Sequence, residues 1–204
     1  MKRWEEFKVA VPEGQVGPWR VERFAVEEDS PGRIHYLLHG RDVVPGTYTR
    51  LIREGCHDPM MSDTRAEIYD HIEMLYKLDE AKPGTRVLIS GLGLGMVLRA
   101  ALANPNVEHV DVMEIDPDVV ALVGPHYACD RLTIHTVDAL EHRFPKGTRW
   151  TYAWHDIWPS LCTDDLAEHA VLNRRYGRAT DWNGCWGHDW LLQQRREDER
   201  QGWY

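Results

Sequence analysis

The stretch from 86 to 95 reads Arg86-Val-Leu-Ile-Ser-Gly-Leu-Gly-Leu-Gly95, an apolar run that breaks into three glycines at alternate positions. An apolar run that ends in glycines is typical of a buried parallel strand. The Leu- and Ala-rich stretch from Met96 to Ala103 is predicted to be the helix that follows. Gly91, Gly93 and Gly95 would then lie at the carboxyl end of the strand, where they permit a tight turn. They would also let a ligand approach backbone N–H groups at the start of the helix.

An acidic residue follows the glycines at the distance expected of a nucleotide site. Glu114, with Ile115 next, ends the next predicted strand 19 residues past Gly95, where a carboxylate accepts hydrogen bonds from a ribose diol. The dinucleotide fingerprint needs its third glycine where Met96 stands, so the fit to NAD is imperfect. An ordinary strand-to-helix turn is the alternative explanation of the glycines.

Length and charge restrict the class of protein. A chain of 204 residues makes one domain, or one domain with a small appendage. Its 33 acidic residues outnumber 24 Lys and Arg. This balance disfavours nucleic acid as the main partner, because phosphate binding needs clustered Lys and Arg. A small-molecule acceptor is favoured, and a cationic acceptor would suit the negative electrostatic potential of the protein. The chain shows neither an apolar run of membrane-spanning length nor a signal-type N-terminus, so no membrane contact and a cytoplasmic location are expected.

The cysteines and histidines do not form a recognisable metal motif. The four cysteines are irregularly spaced and include no C-x-x-C pair, so free thiols are predicted. Cys56 with His57, or Cys185 with His188, provides half of a site at most. No metal is therefore expected.

The order of elements predicts an α/β protein with a small antiparallel β-element in front. Strands at 19–26, 34–39 and 47–52 are followed by one helix over 62–80, capped by Ser62 or Asp63. A βαβ rhythm then predicts a Rossmann-like, doubly wound and mostly parallel sheet. Its strands are placed at 86–90, 108–114, 131–136 and 149–156, with helices at 95–103 and 116–124. The domains are predicted as a β-hairpin element (1–60), a nucleotide domain (61–178) and a Trp-rich tail (179–204).

Two further acidic residues follow strands of the predicted sheet, whose ends meet on one rim. Asp138, with Ala139 beside it, is suited to hold an adenine, or to cap a helix over 139–143. Asp156 is the candidate for chemistry, because a carboxylate there can position an acceptor and take its proton. The alternative is that Asp156 only bonds a backbone amide. His155 is a second candidate base, but strand alternation points it away from Asp156.

A family resemblance joins these features. The β-hairpins, the helix with Asp63-x-x-x-Glu67-x-Tyr69, the glycine loop and the run Val112-Met-Glu-Ile-Asp-Pro-Asp-Val-Val120 together resemble class I S-adenosylmethionine (SAM)-dependent methyltransferases, in their spermidine synthase-like branch. The resemblance covers residues 18 to 160 and implies SAM as the cofactor. It implies that Glu114 holds the ribose, that Asp138 and Ala139 hold adenine, and that Tyr69 and Asp156 lie near the transferred group.

The chain also departs from that family. Leu94 stands where spermidine synthases carry an Asp for the amine end of decarboxylated SAM. After Asp156 no clear run of three more strands follows, so either the sheet ends after its fourth strand or the tail has another role. Trp182, Trp186 and Trp190 recur at helical spacing, and such a face could bind a cation, cover a sheet edge or form a homodimer contact.

The leading prediction is a SAM-dependent methyltransferase for a small-molecule acceptor. The alternatives are another sulfonium-using enzyme, either an aminopropyltransferase or a SAM-cleaving enzyme, and a catalytically silent SAM-binding module. The sequence does not choose the acceptor, because one scaffold hosts many chemistries.

Overall fold

Two sheets organise the protein, one antiparallel and one parallel. A computed structural model describes residues 7–30, 33–34, 43–56 and 58–202. The first sheet is antiparallel, with strands in the order β1 (Gly14–Val16), β2 (Trp19–Val26), β3 (Gly46–Arg53) and β4 (Met61–Ser62). The predicted strands at 19–26 and 47–52 are confirmed to within one residue. Apart from Ile34, the strand predicted at 34–39 lies outside the described residues.

The helix predicted over 62–80 is wrong as a single element. The structure has α1 (Arg65–Asp70) and α2 (Ile72–Asp79), separated by His71. The N-cap is Thr64, whose side chain accepts from the Glu67 N–H, and not Ser62 or Asp63. The Asp63 carboxylate instead accepts from the N–H groups of Val9 and Thr49, at 3.0 and 2.6 Å. Asp63 therefore ties the N-terminal segment to the antiparallel sheet.

The second sheet is parallel and holds five strands in the order β7-β6-β5-β8-β9. The strands are β5 (Thr85–Ser90), β6 (Val107–Glu114), β7 (Leu132–Thr136), β8 (Trp150–His155) and β9 (Thr180–Cys185). The helices around it are α3 (Met96–Ala103), α4 (Pro117–Val123), α5 (Leu166–Tyr176) and α6 (His188–Gln201). Short 3₁₀ turns lie at Gly124–Tyr127 and Thr163–Asp165. The predicted Rossmann-like class is confirmed, with the ends of its first four strands placed to within one residue.

The sheet does not end after its fourth strand. β9 lies in the stretch that the sequence sets apart as a tail, and it pairs in parallel with β8 from Trp150↔Thr180 to His155↔Cys185. The three tail tryptophans do not share a helical face, since Trp182 lies in β9, and Trp190 in α6. Trp182 stacks on Trp154 of β8, with ring centroids 6.1 Å apart and planes within 5°.

Both faces of the parallel sheet are covered, as alternation along β5 requires. Val87 and Ile89 join a core that includes side chains of α3, α4 and the N-terminal sheet. Leu88 points to the other face, where it joins a core that includes Leu172 and Tyr176 of α5. The carboxyl ends of the strands are thereby left as the open rim. Within the ranges that the structure describes, no helix has the length and apolar character needed to cross a membrane.

Candidate functional site

A cavity of about 390 Å³ lies at this rim, beside the carboxyl ends of β5, β6, β7 and β8. Its volume falls in the range of small-molecule sites. Seven of the predicted site residues line it: Gly91, Gly93, Glu114, Ile115, Asp138, Ala139 and Asp156. Four separate segments of the chain thus supply one cavity, as the topology predicts.

The glycine loop after β5 is shaped by the turn and by neighbouring protein atoms. Gly91, Gly93 and Gly95 all have positive φ, at +92°, +49° and +77°. A Cβ on Gly91 would overlap the Asp156 carbonyl, and one on Gly95 would overlap the Tyr127 ring. A Cβ on Gly93 would lie 2.7 Å from Met61 Sδ. The glycines are therefore required by packing within the protein as well as by the turn.

Both carboxylate oxygens of Glu114 are held by backbone groups. Oε2 accepts from the Leu92 N–H of the glycine loop, and Oε1 accepts from the Asp116 N–H, each at 2.9 Å. Each oxygen keeps a second lone pair, so the carboxylate can still accept from the hydroxyls of a ligand. The neighbouring Ile115 lines the cavity and is 66% exposed as a residue. The fixed Glu114 carboxylate suits the hydroxyls of a ribose, and the exposed Ile115 suits the flat face of a base.

Asp138 shapes the loop after β7. Its Oδ1 accepts from the Leu140 N–H at 2.7 Å, and its carbonyl accepts from the N–H groups of Glu141 and His142. Residues 139–141 form a turn, and the helix considered over 139–143 is absent. Ala139 is buried, and its carbonyl accepts from the Tyr176 hydroxyl at 2.8 Å.

Asp156 follows β8 directly, and its N–H donates to the Ser90 carbonyl at 2.9 Å. Asp156 lines the cavity, and 12% of its side chain is exposed; within the described part of the chain, no backbone amide bonds its carboxylate. Burial raises the pKa of Asp156 to about 8, and the negative charges of Glu67 and Asp70 add to the shift. A carboxyl with that pKa can take up or release a proton near neutral pH, as a general base requires.

His71, which sequence reasoning missed, lies beside Asp156. Its Nε2 is 3.8 Å from Asp156 Oδ2, and its Nδ1 is 3.3 Å from the indole nitrogen of Trp154. Burial lowers the pKa of His71 to about 4, so the imidazole is neutral at pH 7. In the sequence His71 is one more residue of an apparently continuous helix, and its spacing carries no signal.

The other two predicted catalytic residues do not line the cavity. Tyr69 lies on α1 and is 61% exposed as a residue. His155 is fully buried between sheet partners, with Nδ1 2.7 Å from Ser90 Oγ and Nε2 2.9 Å from Asn183 Oδ1. Burial lowers the pKa of His155 to about 4. Both ring nitrogens of His155 thus have partners in the protein.

The antiparallel sheet forms another wall of the cavity, which the sequence did not predict. Trp19 of β2 and Arg53 of β3 line it, together with Met60 and Met61. The guanidinium of Arg53 lies over the Trp19 ring, 5.4 Å from its centroid. The N-terminal sheet therefore contributes side chains to the same cavity as the glycine loop.

Carboxylates dominate the charge of the cavity. The acidic lining residues are Glu114, Asp116, Asp138, Asp156 and Glu168. Among the lining residues that the structure describes, Arg53 is the one Lys or Arg. The cavity suits a ligand that carries positive charge. No group of three or more His, Cys, Asp and Glu side chains is arranged for a metal ion within the described ranges.

Comparisons with known proteins return methyltransferases, over part of the chain in each case. No protein-family model matches. The ribosomal RNA small subunit methyltransferase A of Aromatoleum aromaticum is 43% identical over 65 residues, which are 30% of this chain and 23% of that protein. The chain thus aligns with less than a quarter of the length of this relative.

Similar solved structures include two bacterial methyltransferases. An S-adenosylmethionine-dependent methyltransferase from Mesorhizobium loti has a TM-score of 0.43 and 18% identity, over 54% of this chain and 49% of that one. The N-methyltransferase NodS from Bradyrhizobium japonicum has a TM-score of 0.42 and 11% identity, over 56% of this chain and 62% of that one. The structural likeness is limited to about half of the chain.

Proposed function

We propose that this protein is a SAM-dependent methyltransferase that acts on a small-molecule acceptor. The observation that carries the proposal is the convergence of the glycine loop, Glu114, Asp138 and Asp156 on one cavity at the rim of a parallel sheet. The partial identity to a methyltransferase over 65 residues supports it. Ligands of open α/β sheets bind at this rim.

The residues present fit the parts of SAM. Glu114 would accept from the ribose hydroxyls, and Asp138 with Ala139 would hold the adenine beside Ile115. The glycine loop would lie along the methionine part, whose sulfonium is cationic. The acidic lining stabilises a positive charge there. When bound, SAM supplies an electrophilic methyl group on sulfur.

Asp156 would act on the acceptor. A nucleophile must lose or lack a proton to attack a methyl group, and it must lie in line with the bond that breaks. Asp156, which follows β8 and lines the cavity, can orient an amine or hydroxyl and receive its proton. Its raised pKa favours that proton transfer near neutral pH.

The charge of the cavity favours a small cationic acceptor over RNA. The relative from Aromatoleum aromaticum is a ribosomal RNA methyltransferase, but RNA binding needs clustered Lys and Arg for the phosphates. The whole chain carries a formal charge of −9. An RNA acceptor is therefore included as the competing outcome of the acceptor experiment described below.

Aminopropyl transfer is the second candidate, and the antiparallel sheet favours it. That sheet precedes the parallel one along the chain, which is the order that the resemblance to spermidine synthases implies, and its residues Trp19 and Arg53 line the cavity. Leu94 weighs against it, because this position in the loop is fully buried and apolar, with no carboxylate for an amine. Methyl transfer is accordingly preferred.

Calorimetric titration with SAM, decarboxylated SAM and NAD tests the cofactor. Binding of SAM in preference to both others supports the proposal, preference for decarboxylated SAM supports aminopropyl transfer, and binding of NAD alone refutes a SAM site. Mass spectrometry of mixtures with small amines or with ribosomal RNA then identifies the acceptor, and SAM incubated alone reveals cleavage. Asp156→Asn should retain SAM binding and lose transfer by about 100-fold or more.

A further inference from the structure

We infer that His71 is a positioning residue that holds the ionised Asp156 carboxylate by donating from Nε2, in a tautomer fixed by the indole N–H of Trp154. The role of Asp156 in transfer rests on the proposed function. The contacts among the three side chains do not, because they are present in the protein alone.

The tautomer of His71 follows from the chemistry of its neighbour. An indole N–H donates and cannot accept, so the His71 Nδ1 that it contacts at 3.3 Å must be the unprotonated nitrogen. A neutral imidazole carries its proton on the other nitrogen. His71 therefore presents Nε2–H toward the carboxylate side.

That Nε2–H has no partner within hydrogen-bond distance in the described structure, although its side chain is only 4% exposed. Buried polar groups without a partner are rare, and each calls for an explanation. The Oδ2 atom of Asp156 lies 3.8 Å from this nitrogen and is able to accept from it. A rotation of the carboxyl group that closes this gap would satisfy the donor, and the bond would be strongest when Asp156 is ionised.

The fold holds the two ends of this arrangement rigidly. Trp154 and Asp156 are two residues apart along β8 and its continuation, and Trp154 is fixed by stacking on Trp182. His71 lies at the break between α1 and α2, which brings its ring over β8. Glu67 and Asp70 of α1 are the other charged groups that act on Asp156, and both oppose its ionisation. A donor from His71 offsets that opposition.

A matched pair of variants tests the donor. Gln has an N–H group at about the reach of Nε2, whereas Met has a similar size and no donor, so His71→Gln and His71→Met differ in the donor. The ionisation of Asp156 is followed by carbon NMR of its carboxyl, assigned with Asp156→Asn. We expect His71→Met to lower the ionisation constant of Asp156 about tenfold relative to His71→Gln. Equal constants in the two variants would overturn the inference.

Nitrogen NMR of the wild-type imidazole tests the tautomer without any change at His71. A proton on Nε2 supports the inference, and a proton on Nδ1 overturns it. Trp154→Phe removes the indole donor while keeping a ring, so its spectrum should show both tautomers in exchange. These measurements use the protein without cofactor. Failure of the protein to bind SAM would refute the proposed function, but the NMR results on His71 and Asp156 could still be interpreted.

Discussion

Trp19 Nε1 donates to Asp116 Oδ2 at 2.7 Å and so joins β2 of the antiparallel sheet to the loop after β6 of the parallel sheet. The other oxygen of Asp116 accepts from the Asp118 N–H at 2.9 Å and caps α4. One carboxylate thus links the N-terminal sheet to the start of a helix beside the cavity. This link adds to the hydrophobic core that the two sheets share.

Replacing Trp19 with Phe should weaken this link while keeping most of the ring. The Asp116 carboxylate would lose a charge-assisted hydrogen bond, so the free energy of unfolding should fall by about 1–3 kcal/mol. SAM affinity should fall several-fold, because a wall of the cavity would loosen. Denaturant unfolding and calorimetry measure the two effects. Trp190→Phe, on the exposed side of α6, is the control and should change neither.

Gly91→Ala should destabilise the protein far more than Gly147→Ala. Both glycines have φ near +90°, so both substitutions introduce the backbone strain of a left-handed residue, about 1–2 kcal/mol. A Cβ at Gly147 meets nothing within 4 Å, whereas one at Gly91 overlaps the Asp156 carbonyl. We expect an additional loss of about 1–3 kcal/mol for Gly91→Ala. Thermal or urea unfolding of the two variants side by side isolates the overlap. Equal losses would mean that the loop moves freely away from β8.

Asp156→Asn should stabilise the protein increasingly as the pH rises. The pKa of Asp156 is raised from 3.8 to about 8 in the folded state, so between these values the folded protein holds a proton that the unfolded chain has released. The stability contributed by this carboxyl therefore falls as pH rises through that window, by up to about 1.4 kcal/mol per pH unit. Asn has no such proton. The gap between variant and wild type, measured by urea unfolding from pH 5 to 8, should widen with pH. A constant gap would contradict the raised pKa.

His155→Gln should make the protein less sensitive to acid. The pKa of His155 is lowered from 6.5 to about 4, so the unfolded chain binds a proton in this window that the folded protein does not. The stability contributed by this group is full above pH 6.5 and is lost as pH falls toward 4, by about 1.4 kcal/mol per pH unit. Gln does not titrate, so it removes this pH dependence of stability. The free energy of unfolding that is lost with the core contacts of His155 is the same at every pH. Unfolding at pH 7, 6 and 5 should show the difference between the two proteins shrinking as pH falls.

The part of the fold that the sequence predicts best is the part with local signals. β5 and β6 are placed to within one residue, because their buried segments are rich in Val, Leu, Ile and Met and end at Gly91 and Glu114. β9 escaped prediction since Thr180–Cys185 holds Asp, Asn and Gly and has no apolar run. It is a strand because β8 offers a free edge and Trp182 can fold back over Gly184 onto Trp154.

The candidate site likewise contains residues with a local sequence signal and residues without one. Glu114, Asp138 and Asp156 were predicted because each follows a strand, and the ends of parallel strands share one rim. His71 and Trp19 reach the cavity and its surroundings through contacts between elements far apart in the chain. Such long-range contacts leave no periodic pattern in a single sequence.

The glycine loop is held in place by the protein itself. Leu92 N–H donates to Glu114, the Tyr127 hydroxyl donates to the Leu94 carbonyl at 2.7 Å, and Met61 Sδ lies 3.3 Å from the Leu94 nitrogen. An arriving ligand would thus meet a loop that has already lost its conformational entropy during folding, and little of the binding free energy would go into ordering it. Association should then follow a single kinetic phase set by diffusion and access, without a slow step of loop closure.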